Sequence, residues 1–188
     1  MNLPNKLSIA RVIMTPVFLA AFFINFKGHW LAAFALFAIA SITDILDGQI
    51  ARRKGIVTPF GKFLDPLADK VLVSSALIAF VSLGLANPLV ALIVVVRDYL
   101  ISAVRLLAVS SDGKVIAANI WGKIKTSLSM VFISTVLLAL HFAENMGEEA
   151  IELVVRCSNW AMWLLAAITA LSGVVYMVQN KEILEELK

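Results

Sequence analysis

Six stretches of the chain, at 7–26, 30–51, 61–85, 88–110, 121–142 and 159–179, are apolar almost throughout, and polar residues collect between them. Spanning the hydrocarbon of a bilayer takes about 20 mostly apolar residues as helix, and each stretch meets that length. The first resembles a signal peptide in outline. Its start, Met1-Asn2-Leu3-Pro4-Asn5-Lys6, is weakly basic and five more spans follow, so it reads as a retained helix. Every connection is short. In Arg53-Lys54-Gly55-Ile56-Val57-Thr58-Pro59, Thr58 suits an N-cap and Pro59 the first helical position; Asn87-Pro88 repeats the arrangement before the fourth span. With no low-complexity tract or internal repeat, the pattern predicts an all-α integral membrane protein: one domain over residues 1–188, built as a bundle of six transmembrane helices.

Composition supports this. Apolar residues make up 61% of the 188 and charged residues 15%, where soluble domains average roughly 45–50% and 25%. The net charge of +3 is too small to argue for nucleic acid and fits basic residues facing an anionic leaflet. Those residues also set the orientation. Lys6, Arg11, Arg52, Arg53, Lys54, Lys62, Arg105, Lys114, Lys123, Lys125, Lys181 and Lys188 fall on one side; the other carries Lys27, an uncharged turn at 84–87, and an acidic run from Glu144 to Glu152 followed by Arg156. Both termini are therefore expected in the cytoplasm. The single cysteine, Cys157, matches no metal or disulfide spacing and reads as packing.

Ionisable groups inside spans cost about 2.5–3.5 kcal/mol each on insertion scales. Span two nevertheless ends with Asp44 and Asp47, and span three begins with Asp65 and Asp69. Spacings of three and four put each pair on one helix face. Antiparallel neighbours joined by a short loop would bring the faces together just inside the cytoplasmic boundary. Four converging carboxylates need positive charge between them. Arg52, Arg53 and Lys62 are one source. The other is a pair of hard divalent cations with carboxylate ligands, the two-metal arrangement of in-line phosphoryl displacement.

The full segment runs Asp44-x2-Asp47-Gly48-x2-Ala51-Arg52-x8-Gly61-x3-Asp65-x3-Asp69. It resembles the signature of the CDP-alcohol phosphatidyltransferase family at all eight defining positions, a far more specific match than a short glycine motif. The resemblance implies a cytoplasmic-membrane enzyme, commonly a homodimer, that moves a phosphatidyl group from CDP-diacylglycerol to an alcohol and releases CMP. It implies Asp44, Asp47, Asp65 and Asp69 as ligands of two divalent cations, Mg²⁺ or Mn²⁺, with Asp69 also the general base. Gly48, Ala51, Arg52 and Gly61 would form the nucleotide site. Close packing through small residues also accounts for Gly48, Ala51 and Gly61, and positive-inside topology for Arg52.

Beyond the signature, Asn2-Leu3-Pro4-Asn5 with Arg11, the run Thr58 to Lys70, Arg97-Asp98 with Arg105, and Gly122-Lys123-Ile124-Lys125-Thr126 resemble the phosphatidylglycerophosphate synthase branch of the family. That branch uses glycerol 3-phosphate. Arg105, Lys123 and Lys125, near the cytoplasmic ends of spans four and five, are candidate ligands of an acceptor phosphate, since a phosphate needs two or three cationic donors. Arg97 and Asp98 read as a structural pair forming a polar strip with Arg105. Residues 127–188 read as generic helical membrane protein, with 147–155 expected as a short helix on the outer surface. His29 and His141 read as lone interfacial histidines, and Trp30, Trp121, Trp160 and Trp163 as boundary aromatics. Two alternatives remain: the same chemistry with another acceptor, as in a cardiolipin or phosphatidylinositol-phosphate synthase, and a cation transporter using the four aspartates.

Overall fold

The computed structural model describes the backbone of residues 3–54, 59–112 and 120–181, with side chains at 7–44, 67–68, 70–106, 122 and 124–181. Six helices follow in order: α1 (Leu3–Phe23), α2 (His29–Lys54), α3 (Pro59–Ser82), α4 (Pro88–Asp112), α5 (Ile120–Glu144) and α6 (Glu148–Gln179). Each covers all or most of one of the six apolar runs, α1 and α3 ending three residues short of theirs.

Their ends follow local chemistry. After α3, the Leu85 N–H donates to the Phe80 carbonyl at 2.9 Å and the Gly84 N–H to Val81 at 3.1 Å, the paired bonds of a Schellman motif. Gly84 takes φ +70° there, a conformation in which a Cβ would crowd the following carbonyl. Three residues on, Asn87 Oδ1 accepts from the Leu89 N–H at 2.9 Å, and Pro88, which has no N–H to satisfy, opens α4. Residues of α6 hold this turn: Ser158 Oγ donates to the Leu85 carbonyl at 2.8 Å, and the Asn159 amide donates to the Gly84 carbonyl.

One expectation is corrected. The separate surface helix over 147–155 is instead the first turns of α6, which runs unbroken for 32 residues. No glycine or proline interrupts the chain between Glu148 and Ser172. Glu148 and Glu149 oppose the dipole of the helix start, and an exposed Glu152–Arg156 pair at 3.2 Å bridges one turn.

The helices pack as a ring in the order α1, α2, α5, α6, α4, α3, back to α1. α1 lies against both α2 and α3, so those two touch only sparingly among the described residues. Aromatic side chains make the wedge. Phe18 of α1 meets Phe37 of α2 at 5.7 Å between centroids; Phe22 meets Trp30 of α2 at 5.2 Å and Phe80 of α3 at 6.1 Å. Each such pair adds about 0.5–1.5 kcal/mol beyond area burial. His29, buried at the start of α2, has its ring centroid 4.3 Å from that of Trp30, the planes tilted by 40°, and lies 4.0 Å from Glu144 of α5.

The core is largely apolar, and so, unlike that of a soluble fold, is the outer surface. Ile13, Ile39, Ile78, Leu92, Val131 and Leu164 face outward, while Arg11, Thr15, Lys125, Ser129, Thr169 and Ser172 are buried. In water that distribution would be ruinous. In hydrocarbon, outward apolar groups cost nothing and polar groups must find partners inside. Ile124–Glu144 and Glu148–Gln179 are long and apolar enough, by length and composition, to cross a bilayer. The arrangement is that of a helical membrane protein.

Candidate active site

Arg11 stands eight residues into α1, about 12 Å along its axis, where an unpaired guanidinium would be costly to bury. Its side chain is 1% exposed, and Nη1 lies 2.7 Å from Asp44 Oδ1 on α2. Nε donates to the Ala40 carbonyl at 3.3 Å. Ala40 and Asp44 are one turn apart, so a single guanidinium grips α2 at two successive turns. This fixes the orientation of the first signature carboxylate, which remains 28% exposed.

The other signature residues follow on the same two helices. Asp47, Gly48, Ala51 and Arg52 belong to α2, and Gly61, Asp65 and Asp69 to α3; their side chains lie outside the described residues, as does that of Lys123 on α5. Lys70, the neighbour of Asp69, has its ammonium 5.6 Å from the centroid of the Tyr99 ring on α4.

A second polar cluster joins three helices. Asp98 of α4 receives Arg97 Nη1 at 3.2 Å on Oδ1 and the Lys125 ammonium of α5 on Oδ2. The pairing of Arg97 with Asp98 is as the sequence suggests. The Lys125 contact was not anticipated, and it spans two helices that are not neighbours in the ring. Lys125 is 2% exposed, and its ammonium is held by this carboxylate. Arg97 Nη2 donates to Ser172 Oγ of α6 at 2.6 Å. Next to Ser172, Gly173 leaves room for the arginine stem: a Cβ there would stand 3.1 Å from Arg97 Cγ. Two cations thus share one anion, and the Ser172 hydroxyl accepts a further N–H of Arg97, so three helices are joined through one polar network.

About two turns further toward the end of α4, the Arg105 guanidinium carbon lies 5.7 Å from the centroid of the Tyr176 ring on α6, within cation–π range. Of the three residues expected to meet an acceptor phosphate, Lys125 and Arg105 therefore have described surroundings, and these differ. Lys125 is tied to a carboxylate; Arg105 rests on an aromatic face.

A family model for CDP-alcohol phosphatidyltransferases matches residues 1–172. The chain belongs to the CDP-alcohol phosphatidyltransferase family. It is similar along nearly its whole length to CDP-diacylglycerol–glycerol-3-phosphate 3-phosphatidyltransferases. The protein of that name from Bacillus subtilis (strain 168) is 37% identical over 197 residues, covering 98% of this chain and 97% of its own. Those from Rickettsia felis and Rickettsia bellii are 33% and 35% identical, covering 96% of each chain.

Reading the sequence for this family did not single out Ser172, Gly173 and Tyr176, although a signal existed. Thr169, Ser172, Gly173 and Tyr176 follow the spacing i, i+3, i+4, i+7, a polar and small stripe on one face of an otherwise apolar helix. All four are buried, and three of them, Ser172, Gly173 and Tyr176, lie against the arginines of α4. Arg11 as the partner of Asp44 also went unread, since the two are 33 positions apart and no local pattern links them.

Proposed function

We propose that this chain transfers the phosphatidyl group of CDP-diacylglycerol to sn-glycerol 3-phosphate, giving phosphatidylglycerophosphate and CMP. What carries the reading is the near full-length similarity to enzymes named for this reaction, joined to the eight-position signature within α2 and α3. The working unit is a single membrane domain of six spans in the cytoplasmic membrane. Both termini and the reacting groups are on the cytoplasmic side, and the enzyme is a homodimer. There the acyl chains stay in lipid while the cytidine and the acceptor arrive from water.

A hydroxyl of glycerol 3-phosphate attacks the phosphatidyl phosphorus. The new P–O bond forms as the phosphoanhydride bond breaks, and CMP leaves with the electron pair. Asp69 takes the proton of the attacking hydroxyl, a step that in general is worth 10²–10⁴-fold. Gly48, Ala51 and Gly61 keep the helix surfaces low enough for the nucleotide to approach, and Arg52 faces its phosphate. Arg105, Lys123 and Lys125 receive the acceptor phosphate.

The donor set fits divalent cations: Asp44, Asp47, Asp65 and Asp69 offer only hard carboxylate oxygens, and Asp44 is held by Arg11 at 2.7 Å much as ligating carboxylates are held by outer partners. These four residues would bind two ions, Mg²⁺ or Mn²⁺. Such ions, when bound, neutralise the diphosphate and the charge that develops on CMP. Arg11 acts through Asp44 as a positioning residue.

The test is conversion of labelled glycerol 3-phosphate to a lipid-extractable product by purified protein supplied with CDP-diacylglycerol. Phosphatidylglycerophosphate is the expected product. Labelled inositol phosphate or phosphatidylglycerol reacting in its place would keep the family chemistry and discard the acceptor.

A further inference from the structure

Among the described residues, no carboxylate pairs with Arg105. A guanidinium is ionised at any accessible pH, and the Nε of Arg105 is buried without a hydrogen-bond partner among the described residues. Asp98, the carboxylate seven residues back on α4, is occupied by Arg97 and Lys125. The ring of Tyr176 offers Arg105 a π face but no formal charge.

Tyr176 is in a matching position. It is 2% exposed, and its hydroxyl likewise finds no partner among the described residues. A buried phenol normally has one, and leaving it unmet is expensive. The two unsatisfied groups belong to one contact between α4 and α6, and each has an N–H or O–H to donate. Two donors, one carrying a full positive charge, define a site for an oxyanion.

The depth is right for the reaction. Arg105 is seven residues from the end of α4 and Tyr176 three from the end of α6, about 10 and 5 Å by helical rise. Asp47 and Asp65 stand seven and six residues from the corresponding ends of α2 and α3. Each of the four thus stands within about two turns of a helix end that the proposed topology puts on the cytoplasmic side.

We infer that Tyr176 binds the acceptor: its hydroxyl, together with the guanidinium of Arg105, holds the phosphate monoester of the incoming alcohol. Lys125, whose ammonium already binds Asp98, joins α5 to α4 and is the lesser contributor. The assignment deepens the reading of Arg105 as an acceptor ligand and rests on it. It also gives α6 a part in recognition that its apolar sequence does not suggest.

The test is Tyr176→Phe, which removes one oxygen atom and leaves the ring under Arg105. A hydrogen bond to a charged group lost at a buried site corresponds to about ten-fold or more in affinity. The KM for glycerol 3-phosphate should rise by about that factor, the KM for CDP-diacylglycerol should stay, and inorganic phosphate should inhibit the variant less well than the wild type. A purely structural tyrosine would lower stability or kcat without selecting among substrates. An unchanged KM for glycerol 3-phosphate, or a rise confined to CDP-diacylglycerol, overturns the assignment while wild-type turnover with glycerol 3-phosphate keeps the broader reading intact. Should Tyr176→Phe not accumulate, Arg105→Lys serves instead, with the same selective rise expected from loss of the guanidinium geometry. A wild-type enzyme inactive with glycerol 3-phosphate would remove both readings at once.

Discussion

Replacing Asp98 by Asn should cost more stability than any other single change of one atom type in the described bundle. Asp98 is the shared anion of Arg97 and Lys125, at 3.2 Å from the arginine and in direct contact with the ammonium. At an effective dielectric of about 20, two unit charges about 3 Å apart attract by about 5 kcal/mol. The asparagine oxygen still accepts one hydrogen bond, and the carboxylate is 17% exposed, so part of that attraction is already screened. What remains is the cost of two cations left in a low-dielectric interior, about 3 kcal/mol, the low end for breaking a buried pair. Denaturant titration of purified protein in a mild detergent, followed by loss of helicity, measures it. The double variant Asp98→Asn with Lys125→Met should recover part of the loss, with a coupling of about 1–3 kcal/mol, because the more deeply buried cation is then gone. Strict additivity of the two single changes, or a loss in Asp98→Asn below about 0.5 kcal/mol, the level of an ordinary surface substitution, would refute the view that this network ties α4, α5 and α6 together.

Three more outcomes follow from particular residues. Asp69→Asn should lower CMP release by about 10²–10⁴-fold while Mn²⁺ binding, followed by paramagnetic resonance, largely persists; normal turnover removes Asp69 as the base. Gly173→Ala places a methyl 3.1 Å from Arg97 Cγ, on a side chain pinned at both Asp98 and Ser172, and should destabilise by about 1–3 kcal/mol as overpacking does; a neutral or stabilising effect in the same denaturation assay would mean that Arg97 is free to move aside. Cys157 is exposed, the sole cysteine, and adjacent to Ser158, which binds the α3–α4 turn at Leu85. In the proposed topology that turn is on the outer side, so an impermeant maleimide should label intact cells, and labelling only after permeabilisation would invert the orientation.

The sequence was informative where local chemistry decides structure. Six apolar runs gave six helices, the conformation that satisfies an apolar segment's backbone internally, and Asn87-Pro88 marked the start of α4 because cap and first-turn residues act over a few positions. The ring order was not legible. An apolar side chain facing lipid and one facing a neighbouring helix are chemically alike, so nothing in α1 announced that Phe18 and Phe22 would wedge it between α2 and α3. The length of α6 was misread because its acidic first turns look like a surface segment, although no residue there breaks a helix. At the site, the aspartates stood out because charge is rare in apolar runs. Their supports did not: Arg11 reaches Asp44 through tertiary packing, and Ser172, Gly173 and Tyr176 are unremarkable in an apolar helix until α4 is set against them.

The most direct measurement of the central claim is CMP release by purified protein from CDP-diacylglycerol, with and without glycerol 3-phosphate, Mg²⁺ or Mn²⁺, and EDTA. Release that requires the acceptor and a divalent cation together, and that stops on chelation, is the predicted result. Folded protein that releases no CMP with glycerol 3-phosphate, whatever metal is supplied, would contradict it.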